Sequence, residues 1–558
     1  MLSRVSTSGL AQTLWEKLYH RLRSSLFVQR DVPTITTLPL EILIQVLQEL
    51  DFLDVLRVRQ TCKLLCRATT ARPIWIDLFE ECERSTPGLI KLEKPLHLYS
   101  SEELERVVIV AKSTEMGWRG RDDTPSRRRH IEDIEVYQDV YLVPGGRWLL
   151  VFHFTGEISY HDLDSADYRK KRILVAGDVR LARCNMTFFA VDVSNRMPWQ
   201  NFKLAQYVAE DPFHLEGDIY RAVRIWDIAF VIEGQTVTGL RATRLKTILV
   251  DPDVVDSHIS LSLRDEHLLY AVSPEDERGF EARVQYICVV EWTLIEDGSL
   301  DYPRKLIKTD KEADEMYILP NNRVSVYWRR RLLVYDYSAA ECTDHLPKAL
   351  DDDVELTPPS ECPLLPCGLH TVISAPFEAQ DGTVCFLGFS SNAICKNESA
   401  QSISIPYDFG TPGASSPEIS KKLLIPLPPH DYCDTWSARY MFGRRRGILY
   451  KTIPRTDYTQ LILLEYDLEQ EFTPDYLPVI KVSTFQRYMS EGQGQETQDW
   501  SSYETPFRNP HLDEGSGRLV VPLETRFEIF DFALVHKGGL MSQDASTVNS
   551  PSGLCSSP

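Results

Sequence analysis

The sequence contains no Cys-x-x-Cys pair and no apolar run that approaches the length of a membrane span; Val107 to Ala111 is typical of its longest stretches. Its 12 cysteines are scattered, with Cys62 and Cys66 four apart and Cys362 and Cys367 five apart. Structural zinc sites need repeated, closer thiol spacing, so free thiols in a reducing compartment, without a metal, are expected. In that setting the sequons at Asn185 and Asn397 are chance matches, and the expected location is cytoplasmic, nuclear or both. Basic charge is scarce too. The chain carries 61 Lys and Arg against 81 Asp and Glu, a formal net charge of −20. That balance argues against nucleic-acid binding, which needs a clustered basic surface. Catalytic signatures are missing: there is no Walker loop, Gly-x-Ser-x-Gly, His-Glu-x-x-His or dinucleotide fingerprint. His214-Leu215-Glu216 lacks the cysteine pair of a deaminase zinc site, and His430-Asp431-Tyr432-Cys433 reads as a loop. No catalytic residue, cofactor or membrane partner is therefore expected.

What the chain does have is material for cores: 43% hydrophobic and 10% aromatic residues over a length of 558, enough for two or more domains. The first 30 residues hold Arg4, Lys17, Arg21, Arg23 and Arg30 against Glu16, and Leu10, Leu14, Leu18, Leu22 and Leu26 form an i, i+4 line. This amphipathic leader, residues 1–36, fits a helix docking on its own protein, a frayed leader or an import presequence.

Residues 37–82 read as helices. Leu38-Pro39 opens the first, where proline lacks a donor that would have no partner anyway. Ile42, Leu43, Val46, Leu47 and Leu50 follow at helical spacing, in a stripe wide enough for two apolar faces. Asp51 caps a second helix with Asp54 in its first turn; Val55, Leu56, Val58, Cys62 and Leu65 supply its apolar side, and Arg57, Arg59, Lys63, Arg67 and Arg72 its basic one. Pro73 ends it and opens a third, with Ile74, Trp75, Leu78 and Phe79.

In order and spacing, Leu38-Pro39, Glu41-Ile42-Leu43, Val46-Leu47, Leu50, Arg59 to Lys63 and Pro73-Ile74-Trp75 resemble the F-box pattern over about 45 residues. The chain departs from it at Leu65, where the family usually has Trp or Phe. The resemblance implies a three-helix clip that inserts into a small acidic Skp-type adaptor and so joins a cullin. It carries over as adaptor-binding residues Leu38, Pro39, Ile42, Leu43, Val46, Leu47, Leu50, Leu56, Arg59, Cys62, Leu65, Ile74 and Trp75. A basic helix side suits an acidic partner by raising encounter rate and fixing orientation; a solvated helix face explains the same charges.

Residues 83–130 read as a helical linker. Ser100 and Glu103 have the Ser-x-x-Glu spacing of a capping box, and Trp118 to His130, ending in Arg127-Arg128-Arg129, looks like solvated chain or a nuclear signal. Residues 131–540 read as strands broken by Gly, Pro, Asn and Asp. Residues 541–558 are Ser-rich and aperiodic, as in a disordered tail.

The strand region repeats one ending, aromatic-Asp-apolar. It occurs at Tyr160-His161-Asp162-Leu163, Trp226-Asp227-Ile228, Tyr335-Asp336-Tyr337, Tyr407-Asp408-Phe409, Tyr466-Asp467-Leu468 and Phe530-Asp531-Phe532, with Trp292-Thr293-Leu294 a variant. Three copies share an upstream hairpin with Gly145-Gly146, Asn321-Asn322 or Gly515-Ser516-Gly517 at the turn, residues that tolerate positive φ. An arginine follows each turn, and the Asp lies 15, 13 and 13 residues further on. The pattern resembles degenerate WD-repeat blades, which implies a β-propeller of about seven blades; Val191-Asp192-Val193 allows an eighth, and a large β-sandwich or a pair of sheets also fits. A ring must close, and the spare strand expected to pair with the segment ending at Asp531 is 131–137.

The resulting picture is α plus all-β and multidomain. Its expected function is substrate recognition for an SCF-type cullin ligase, with an unknown protein target on the propeller. A non-ligase scaffold and a quinoprotein-like propeller enzyme are the alternatives. Arg329 to Arg331 and Arg444 to Arg446 could grip acidic or phosphorylated degrons, or protect sheet edges.

Overall fold

The computed structural model describes residues 35–86, 88–119, 125–132, 134–135, 137–177, 186–192, 201–209, 221–251, 254–255, 260–274, 285–310, 313–329, 331–346, 356–361, 370–378, 382–392, 397–408, 422–425, 438–452, 458–466, 479–486, 509–523 and 526–535. The leader up to residue 34, the tail 541–558, His214 to Glu216, His430 to Cys433, Cys362 and Cys367 lie outside them. The chain forms two compact units, Met1–Glu81 and Cys82–Pro558.

The first unit is helical. α1 (Leu40–Gln48) starts after Pro39, and α2 (Phe52–Arg59) is capped by Asp51, whose carboxylate accepts the Asp54 N–H at 2.8 Å. The run read as one helix after Asp51 is broken in two. Gln60 and Thr61 donate their N–H groups to Arg57 O and Val58 O, and the Thr61 hydroxyl also takes Val58 O at 2.7 Å, which ends the helix. α3 (Lys63–Thr69) resumes after Cys62, and α4 (Arg72–Ser85) carries Pro73 in its first turn. Leu43, Leu47, Val55, Leu65, Ile74 and Trp75 are buried.

In the second unit, α5 (Ser101–Arg119) begins at the expected capping box: the Glu103 N–H donates to Ser100 Oγ at 3.2 Å, and the Ser100 N–H donates to the Glu103 carboxylate at 2.7 Å. Seven antiparallel sheets follow in chain order as a seven-bladed β-propeller. Blade 1 comprises Asp139–Leu142, Trp148–Phe152, Ile158–Asp162 and Arg172–Val175. Blade 4 has the same order in Glu315–Leu319, Arg323–Trp328, Arg331–Asp336 and Ser360–Glu361. The aromatic-Asp pairs at Asp162, Asp336 and Asp531 end third strands, whereas Asp227 lies inside Arg221–Glu233. Val191-Asp192 ends the first strand of blade 2 rather than marking an eighth blade. The expected turn residues have positive φ: Gly145 99°, Gly146 71°, Asn321 60°, Asn322 56° and Gly517 65°.

Blade 7 is completed from the other end of the chain. Its strands His511–Asp513, Arg518–Pro522 and Phe527–Asp531 are joined by Arg127–Ile131, in the register Arg127 to Asp531 through Ile131 to Phe527. A strand N-terminal to the first hairpin does close the ring, but it is not 131–137. Among the described residues of that stretch only Ile131 pairs, and the arginine run read as solvated chain supplies the rest. The reason is electrostatic: Arg129 is buried against Asp531, and Arg128 reaches Glu528 at 2.9 Å, charges that 131–137 could not offer.

Within this unit α5 packs onto the ring. Trp118 is buried with its ring 4.8 Å from that of Phe532, edge to face. A Cβ on Gly117 would stand 1.9 Å from Phe532 O, so only glycine permits the approach.

Candidate protein-binding surfaces

The thirteen residues carried over from the resemblance divide by burial. Leu43, Leu47, Leu65, Ile74 and Trp75 are buried, so they shape the unit from inside. Leu38, Val46, Leu50, Leu56, Arg59 and Cys62 are half-buried, and Pro39 and Ile42 are exposed. Arg59 acts as a tie: its Nε donates to Thr69 Oγ1 at 3.0 Å and its guanidinium lies 5.4 Å from the Trp75 ring centre. Trp75 Nε1 donates to Thr69 O at 2.8 Å, which pins the α3–α4 corner. Among the described residues of this unit, the large apolar side chains that stand exposed are Ile42 at 38% and Leu53 at 44%. Leu53 escaped the sequence reading, although Phe52-Leu53 carried a signal: adjacent helical residues cannot both face one core, and Phe52 is the buried one.

In the propeller, the arginine after each turn faces the acid that closes the third strand. Arg147 grips Asp162 through Nε at 3.0 Å and Nη2 at 2.9 Å, while its Nη1 donates to Glu93 at 2.9 Å. Arg323 sits opposite Asp336, Arg446 opposite Glu465 and Arg518 opposite Asp531. In blades 1 and 7 the spacing of 15 and 13 residues in sequence is therefore the footprint of an ion pair, Arg147 with Asp162 and Arg518 with Asp531.

The arginine run at 444–446 is largely engaged inside the protein. The Arg445 and Arg446 N–H groups donate to the Glu514 carboxylate, Arg446 Nη1 donates to Glu514 O at 3.0 Å, and the Arg446 guanidinium stacks 5.1 Å from the Trp118 ring centre. In the other run, the Arg329 guanidinium lies 5.5 Å from the Trp328 ring centre and its N–H donates to Asp314 at 3.0 Å.

Among the described residues, one cluster has the makings of a cation site: Glu135, His153 and Glu157 have ligand atoms within 4.8 Å of one another. Lys171 Nζ lies 2.5 Å from Glu135 and 2.8 Å from Glu157, so an ammonium already balances those carboxylates. Burial pushes the Glu315 carboxyl up to about 7, opposed by the hydrogen bond at 2.6 Å that Tyr317 Oη donates to it. Burial likewise holds His161 and His511 down at about 4. No helix among the described residues is long and apolar enough to cross a membrane.

With this geometry in place, comparison with known proteins adds a family match for the helical unit. Residues 35–81 match the F-box-like family model, so the chain carries an F-box-like domain ahead of a seven-bladed β-propeller. No curated protein matches the chain. Among solved structures it is similar to the WD40 domain of SCAP from fission yeast, with 8% identity, 71% of this chain and 85% of that one covered, and a TM-score of 0.36. It is also similar to the β-propeller domain of Cps50 (Swd1) from Myceliophteria thermophila, with 11% identity, 73% and 99% covered, and a TM-score of 0.36.

Proposed function

We propose that this chain is the substrate-recognition subunit of an SCF-type cullin-RING ubiquitin ligase. The F-box-like unit binds a Skp-type adaptor and through it the cullin, and the propeller holds a protein target. The observation that carries this reading is the pairing, in one chain, of an F-box-like unit that leaves Ile42 and Leu53 exposed with a separate propeller unit. Such a chain contributes proximity and orientation, with the ubiquitin chemistry on other subunits, so it is not itself an enzyme. The site of action is the cytoplasm, the nucleus or both.

The test is co-purification of the full chain with a Skp-type adaptor and cullin. Ile42→Ala with Leu53→Ala should remove both partners while the melting profile stays unchanged. Retention of adaptor and cullin at wild-type levels by that double variant overturns the assignment.

A further inference from the structure

Blade 2 carries a hairpin of long strands, Arg221–Glu233 with 13 residues and Thr236–Leu249 with 14. The second is the outermost strand of its sheet, so one row of its N–H and C=O groups has no ladder partner. Both ends of that row are already occupied. At one end the carbonyls of Gln235, Val237 and Thr238 accept from Lys94, Arg147 and Arg172, and the Leu240 N–H donates to Tyr160 Oη. At the other, the Thr247 N–H donates to Asp297 Oδ1 at 2.7 Å, Thr247 O accepts the Gly298 N–H at 2.7 Å, and the Leu249 N–H donates to Ser299 O at 3.1 Å. A short stretch of chain therefore already lies along this edge.

Between the two ends, residues 241–246 are open. Alternation from Leu240 turns the N–H and C=O of Ala242 and Arg244 outward, and they have no backbone partner among the described residues. Arg241 is exposed, and the Arg244 side chain is 55% exposed, with Asp297 no nearer than 4.0 Å. A β-bulge opposite Ile225 and Trp226 leaves Leu245 without a cross-strand partner and 38% exposed. Lys246 Nζ donates to Ile295 O, which brings the turn carrying Leu294, 66% exposed, alongside.

We propose that residues 241–246 are a docking edge for an extended acidic peptide, which adds to blade 2 as a further strand. Strand addition draws affinity from main-chain hydrogen bonds, here those of Ala242 and Arg244. The two arginines select carboxylates by local pairing, which has to act against a net charge of −20 on the chain as a whole. Leu245 and Leu294 offer a place for one apolar side chain. The peptide is a segment of the target, so its biological meaning rests on the receptor reading above.

The probe is a fluorescein-labelled peptide of alternating Asp and Val residues, titrated against the full chain by fluorescence polarisation, with a Lys-Val peptide as control. The wild-type chain should bind the acidic probe and not the basic one. Ala242→Pro removes an outward N–H that an edge strand can spare, and should abolish binding. Arg241→Glu with Arg244→Glu leaves the backbone intact, should weaken binding about tenfold or more, and should flatten its salt dependence. Equal binding by wild type and the double charge variant, or no binding by wild type, overturns the proposal. A chain that holds adaptor and cullin but not the probe loses only this docking edge; one that holds the probe but not the adaptor loses only the ligase reading.

Discussion

Arg129 and Asp531 lie 402 residues apart in sequence, and Arg129 Nη2 donates to Asp531 Oδ2 at 2.8 Å. The other carboxylate oxygen accepts from Arg518 Nε at 2.6 Å, and both partners of the closing pair are buried. One acid thus holds an arginine from each side of the seam.

The seam is asymmetric under mutation. Asp531→Asn strips the charge partner from buried Arg129, leaves Arg518 with Asp164 alone at 2.9 Å, and should cost about 3–5 kcal/mol of stability. Arg129→Met leaves Asp531 paired to Arg518 and should cost less. Denaturant melts of both variants decide the order; equal losses would mean that Arg518 does not share the carboxylate.

Truncation should grade in two steps. A chain starting at residue 138 lacks the closing strand, exposes the edge Phe527–Asp531 and should lose cooperative unfolding. One starting at residue 125 keeps that strand but loses α5, and with it Trp118 against Phe532. It should close yet melt lower, by about 3 kcal/mol or more for the lost aromatic packing alone. Calorimetry on the three lengths tests the order.

Surface and core separate in the F-box-like unit. Leu43→Ala empties a fully buried site and should destabilise that unit by about 2–5 kcal/mol. Ile42→Ala and Leu53→Ala should each leave stability within about 0.5 kcal/mol and act on adaptor binding instead. Thermal melts of an isolated fragment are unnecessary; limited proteolysis of the full chain distinguishes the two effects.

Glu315 gives a pH signature. Its folded carboxyl titrates at about 7 against an ordinary 4.5, so the folded state holds a proton that the unfolded state releases. Its contribution is present below pH 4.5 and is lost as the pH rises through 7. Glu315→Gln removes this dependence. The stability of wild type relative to Glu315→Gln should fall by up to about 3 kcal/mol between those limits. A pH-independent difference in denaturant midpoints would place the proton elsewhere. His161 and His511, held near 4, act in the opposite sense and weaken the fold as the pH falls below 6.5.

Much of the architecture was legible because its signals are local. Asp51 and the Ser100/Glu103 box announce helix starts through hydrogen bonds within one turn. Gly145-Gly146 and Asn321-Asn322 announce hairpins through the φ that such turns require. The break at Thr61 was not legible, because it rests on one hydroxyl reaching Val58 O inside an otherwise helical pattern. Nor was the closing strand: a triple arginine reads as solvent-facing until Asp531 and Glu528, some 400 residues away, are brought beside it. The division of Leu38 to Trp75 into inward and outward residues also depends on how four helices cross, which spacing along one helix does not encode. Arg446 shows the same lesson, since only packing puts it between Trp118 and Glu514.

A seam between the two ends of a ring is also a clock. On a ribosome adding about 5–20 residues per second, Arg129 is made roughly 20–80 s before Asp531 exists to receive it. For that interval Arg127–Ile131 is a strand without a sheet, upstream of every blade it will help to enclose. Blades 1 to 6 can form as hairpins in order of synthesis, but the last waits on a strand made long before it. Its fourth strand must be fetched from the oldest part of the domain. A nascent chain that stops short of residue 527 therefore keeps an unpaired arginine strand on display, a chemical mark by which unfinished copies differ from finished ones.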